Sequence, residues 1–173
     1  MRLQDEIASS IAELSPEQLM LRPPGKWCVG EILEHLYLTY TGTIKGFERV
    51  EQAGKSEASA PTLIQRGRTL VVVTFGYMPS GRESPAVARP RGMSTEKILS
   101  EIGSKISAMD EIMARCSEKF GIRCKLLDHP VLGPLSVTQW KKFHFVHGLH
   151  HVKQIRRLRE CVTAGTVPRS IAS

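Results

Sequence analysis

The chain has 173 residues, enough for one well-buried core and too few for two ordinary domains. Its 41% apolar content argues against a disordered chain. Its formal charge of +7 is scattered apart from a cluster at Arg156, Arg157 and Arg159 and a looser set from Arg66 to Arg91, without a long Lys/Arg run or a basic stripe interleaved with aromatics, which argues against nucleic-acid binding. No window approaches the roughly 18 apolar residues of a membrane span, MRLQDEIASS has no apolar signal region, and Cys28, Cys116, Cys124 and Cys161 show no CxxC spacing, so the expectation is a cytoplasmic protein with free thiols, no membrane contact and no cysteine zinc site.

Leu3, Ile7, Ile11 and Leu14 recur on one helical face, and Ser15-Pro16 reads as the stop of that helix. A second helix opens at Cys28, three residues before Glu31, in the spacing of a capping box with Cys in place of Ser. Val29, Ile32, Leu33, Leu36, Tyr40, Ile44, Phe47 and Val50 form its apolar side. Leu70 to Val73 has strand-like composition, and a short apolar run does not separate a strand from a buried helix; the expectation is a helix over about 61–75, followed by a Pro/Gly-rich loop from Met78 to Gly92.

A third long helix begins at Ser94 or Thr95, with Ile98, Ile102, Ile106, Met109, Met113 and Cys116 in its seam. Gly121 to Pro134 reads as a break. The last helix starts at Ser136, in a capping box with Gln139, and runs to about Cys161. Four amphipathic helices without strand pairs predict an all-α four-helix bundle over residues 1–165 and a tail at 166–173.

Five of the six histidines lie between residues 129 and 151, and four of them in the last helix. At about 100° per residue, Trp140, His144, His147, His151, Ile155 and Leu158 share one stripe, while Lys142, Lys153, Arg156 and Arg157 point away. His147 and His151, one turn apart, can share a divalent ion, though a stable site needs at least a third ligand. His150, about 100° from His151, is expected to face elsewhere. His35, beside Thr39 on the flank of its helix, is the one histidine on another helix, and periodicity does not nominate it: a lone histidine in that place is more often a surface or interhelix contact than a ligand.

WCVGEILEHLYLTY at 27–40 resembles the signature of the DinB / YfiT-like superfamily, a tryptophan and serine followed by a helix ending in His-Leu, with Cys28 where serine is usual. HGLHHVKQI at 147–155 resembles that superfamily's closing motif, and HPVLGPLSVTQWKKFHF at 129–145 is similar to a branch of DinB-like proteins with no settled reaction. The resemblance implies an up-down-down-up bundle holding a divalent metal on His35, His147 and His151; His144, which shares their stripe, is read with Thr39 and Trp140 as a pocket or supporting residue. The resemblance also implies zinc or nickel, with iron or manganese as alternatives.

Family members of known activity act with low-molecular-weight thiols, as bacillithiol or mycothiol S-transferases and maleylpyruvate isomerases. The expected partners are therefore a small thiol and an electrophilic substrate entering along Tyr77 to Arg91, where Arg82, Arg89 or Arg91 would attract carboxylates. Such proteins are often homodimers. A metal-assisted hydrolase and a non-catalytic, stress-linked metal- or ligand-binding bundle stay open beside this reading.

Overall fold

The computed structural model describes residues 2–79, 81 and 83–163; Arg82 and the tail at 166–173 lie outside the described residues. The described chain is mainly helical, with one small sheet. Its elements are α1 (Leu3–Ile11), α2 (Pro16–Leu19), α3 (Val29–Ala53), α4 (Leu63–Thr69), α5 (Thr95–Phe120), β1 (Lys125–His129), β2 (Gly133–Ser136) and α6 (Val137–Thr163). Helix α3 lies along α5 and α1 along α6, while α6 also touches α3 and α5.

The anticipated seams are the buried ones. Val29, Ile32, Leu33, Leu36, Tyr40, Phe47 and Val50 of α3 meet Ile98, Ile102, Ile106, Met109 and Met113 of α5 in a single core. Each large side chain so buried contributes roughly 1.5–3 kcal/mol, which is how 25-residue helices with charged outer faces are held in place. At the start of α3, the Cys28 backbone N–H donates to Glu31 Oε2 at 2.9 Å. Burial raises the Cys28 thiol above its usual value, so the sulfur is an apolar cap and not a ready thiolate.

Three local readings change. Ser15-Pro16 starts a helix rather than only ending one: Ser15 Oγ accepts from Gln18 N–H and Gln18 Oε1 accepts from Ser15 N–H, a complete capping box around α2. The helix expected over 61–75 is two pieces. Thr62 caps α4 with Gln65, and the chain then widens into a π-helical turn over Leu70–Thr74, where the Phe75 N–H donates to Leu70 O. That turn directs Val72 and Val73 inward against α6.

The third change corrects the all-α expectation. The break at 121–134 holds an antiparallel hairpin in which Leu127 pairs with Leu135 and His129 with Gly133. A register shift between Lys125 and Leu127 allows Leu126 and Leu127 to be buried side by side, against the strict alternation of a regular strand. Gly133, at φ 74°, makes the turn into β2. Trp140 Nε1–H donates to Leu127 O at 3.2 Å and ties the hairpin to α6.

Candidate metal centre

Helix α3 presents His35 two turns from its N-terminus, and α6 presents His147 and His151 one turn apart on the stripe that faces α3. All three rings are buried, with His147 the most exposed at 8%. His147 Nε2 lies 3.1 Å from His35 Nε2 and 3.1 Å from His151 Nε2. One ligating nitrogen from each of the three residues fits within a span of 4.8 Å. A tetrahedral ion with nitrogens at about 2.0–2.1 Å needs them roughly 3.3 Å apart, and the two spacings measured from His147 are close to that.

The hydrogen bonds behind these rings aim them. His35 Nδ1–H donates to the Ala88 carbonyl at 2.8 Å, with Ser84 Oγ at 3.3 Å from the same nitrogen. His151 Nδ1–H donates to Gln154 Oε1 at 2.8 Å. Both rings thus keep their proton on Nδ1 and turn a bare Nε2 inward. His147 stacks on Phe143 with an interplanar angle of 14°, and its Nδ1 is buried without a partner. Its single ring proton cannot satisfy both inward lone pairs of His35 and His151. Three convergent nitrogens with too few protons between them match a cation, so this donor set fits a divalent ion on its own chemistry.

The electrostatics agree. Burial holds His35 below its ordinary value, against a smaller upward pull from the Ala88 carbonyl. Burial, and then the neighbouring His151 and His35 rings, push His147 far down. His151 is pushed down to about 3, mainly by burial. All three are therefore neutral at pH 7, the form that ligates. The acid beside His35 in sequence, Glu34, is engaged by the loop: it accepts from the Arg91, Gly92 and Met93 N–H groups at 2.6, 3.1 and 3.2 Å.

The remaining expected residues take other places. His144 is buried one turn before His147, stacked on Trp140, with Thr43 Oγ1 at 3.0 Å from its Nε2. Thr39 Oγ1 donates to the His35 carbonyl, a bond within α3. Trp140 anchors the hairpin. His150 is outside the three-histidine group, yet its Nε2 is 3.1 Å from Gln154 Nε2. Arg89 is engaged by Glu83 at 2.7 Å and by the Ser84 carbonyl.

Trp27 covers the His35 ring at a centroid distance of 5.3 Å. Sequence reasoning missed Ala88 and Glu34, and took Gln154 only as part of the closing motif, without a role. Gln154 had a signal, three residues beyond His151 on the same helical face; a backbone carbonyl such as that of Ala88 has none.

A family model described as "Protein of unknown function (DUF1569)" matches residues 2–158, which takes in all three histidines and the elements that carry them. The chain belongs to the DUF1569 family. No curated protein and no solved structure matches this DUF1569 member. Among its described residues no helix is long and apolar enough to cross a membrane.

Proposed function

We propose that this DUF1569 protein is a metal-dependent enzyme of the DinB-like type that joins a low-molecular-weight thiol to an electrophilic small molecule. The observation that carries the reading is the inward convergence of three neutral imidazoles from α3 and α6, with the outer rings of His35 and His151 each fixed through Nδ1. A divalent ion bound there supplies Lewis-acid charge and lowers the pKa of a thiol or water beside it. Three histidines leave coordination positions for such a partner, as catalytic sites do and closed structural sites do not.

The charge balance favours a thiol. The donor set is three neutral imidazoles, which leave the positive charge of a bound ion uncompensated among its own ligands, while the Glu34 carboxylate is held by three backbone N–H groups. An anionic sulfur suits that imbalance. The approach is the segment from Tyr77 to Arg91, which carries the exposed apolar side chains Tyr77 and Val87 next to the Ala88 that holds His35. Arg89 would take a substrate carboxylate only by leaving Glu83.

For the fold, α1, α3, α5 and α6 are the four helices of an up-down-down-up bundle, a reading supported by the packing of α3 on α5 and of α1 on α6. For assembly, the exposed Leu63, Ile64, Leu70 and Phe75 support a homodimer.

The test is turnover by protein loaded with zinc or nickel, offered several low-molecular-weight thiols with monochlorobimane, and offered hydrolysable esters with water alone. Thiol-dependent conjugation supports the proposal. Hydrolysis without thiol would replace it with a metal-assisted hydrolase, and metal binding without either reaction would leave a non-catalytic bundle.

A further inference from the structure

His151 is aimed by a side chain that itself has two unlike ends. The Gln154 carboxamide places Oε1 2.8 Å from His151 Nδ1 and Nε2 3.1 Å from His150 Nε2. Gln154 is three residues beyond His151 and four beyond His150, so its side chain lies between the two and reaches both. Which end of the amide faces His151 decides where that ring keeps its proton. With the oxygen facing it, the proton stays on Nδ1 and Nε2 is bare.

Turned over, the amide would present its NH2 group to Nδ1, which would then have to accept. The proton would move to Nε2 and point an N–H at the place where a ligand lone pair is needed. Rotation about the terminal amide torsion is soft, so the torsion itself does not choose. With its own proton on Nδ1, His150 accepts the amide hydrogen at Nε2, and in that tautomer it holds the amide oxygen towards His151.

We propose that Gln154 and His150 are positioning residues that lock the tautomer of His151, with His150 acting through the amide of Gln154. This goes beyond the motif histidines and rests on the metal reading above. His35 has no need of such a lock, because its Nδ1–H meets a backbone carbonyl, which can only accept. The outer supports of the two rings are therefore unlike: a fixed carbonyl behind His35, and an orientable amide held by a neighbouring imidazole behind His151.

The experiment is zinc affinity by competition with a chromophoric chelator, on full-length protein, with helical content checked for every variant. Gln154→Leu should weaken zinc binding by about 10- to 100-fold and His150→Ala by up to about 10-fold, the range for loss of supporting partners at a metal site. Gln154→Glu supplies a carboxylate whose two oxygens both accept, so it should hold zinc at least as tightly as the wild type. Made on top of Gln154→Glu, His150→Ala should have no further effect, because a symmetrical acceptor needs no orienting.

That loss of effect is the readout a packing role for His150 would not produce. An unchanged affinity for His150→Ala alone, or an equal loss in both backgrounds, would overturn the proposal. Failure of the wild-type protein to bind zinc at all would instead reject the metal reading on which it rests.

Discussion

His35 and Ala88 are joined by a 2.8 Å hydrogen bond from the imidazole Nδ1–H to the carbonyl, across 53 positions of sequence. The adjacent side chain, Glu34, holds the same segment through the N–H groups of Arg91, Gly92 and Met93. Two consecutive residues of α3 thus fix one loop, one by donating to it and the other by accepting from it. The orientation of His35 depends on both.

Glu34→Ala should leave three N–H groups without their acceptor and cost roughly 2–4 kcal/mol of stability. It should also raise amide hydrogen exchange across residues 84–93 and weaken metal binding, since Ala88 would no longer be held. Glu34→Gln should lie between the two. Unchanged exchange in that loop for Glu34→Ala would show that the carboxylate does not organise it.

Stability of the metal-free protein should fall as the pH drops below 6.5. Burial pushes His144 and His151 down to about 3 and His129 to about 4, while the same residues in the unfolded chain titrate near 6.5. The unfolded state therefore binds more protons below that point. The stabilisation is fully present above pH 6.5 and is lost as the pH falls towards 4 and then 3. The slope approaches about 1.4 kcal/mol per pH unit for each such histidine. Urea denaturation between pH 7.5 and 5 measures it, above the range in which carboxylates titrate. A flat profile there would contradict neutral buried rings.

Gly46→Ala should destabilise by about 1–3 kcal/mol, because a methyl group there would run into the Leu127 side chain of the hairpin docked on α3. Trimming the obstacle in a Gly46→Ala, Leu127→Ala double variant should give less than the sum of the two single losses. Additive losses in thermal denaturation would mean that the hairpin does not pack against that face.

Light scattering should give a dimer at micromolar concentration if Leu63, Ile64, Leu70 and Phe75 form a self-association surface. Charged substitutions at Leu63 and Phe75 should then give monomers without loss of helix. A wild-type monomer at every concentration would rule out that assembly.

The long helices were legible in the sequence because each depends on a repeated apolar seam ending at a cap, as Ser136 with Gln139 starts α6. The hairpin was not, because its strands are short and the bulge at Lys125–Leu127 removes the alternation that marks a strand. Likewise α2 has only four residues, too few for a periodic signal, although its capping box was present at Ser15 and Gln18. Of the candidate site, the shared face of His147 and His151 was readable from one helical turn of spacing, while the ligand set as a whole came from the resemblance. Periodicity favoured a contact over a ligand at His35, and only the resemblance named it; the structure places it against the other two through the packing of α3 on α6, which a single helix's pattern does not encode.

The most direct test of a shared ion on His35, His147 and His151 is metal content per chain, measured for the wild type and for single alanine variants with verified helical content. Wild-type protein should carry one divalent ion, and His35→Ala, His147→Ala and His151→Ala should each lose it, because two imidazoles hold such an ion far more weakly than three. His144→Ala should retain most of it, its Nε2 being placed against Thr43 instead. Full retention by His35→Ala together with loss in His144→Ala would contradict the account and place the site within α6 alone.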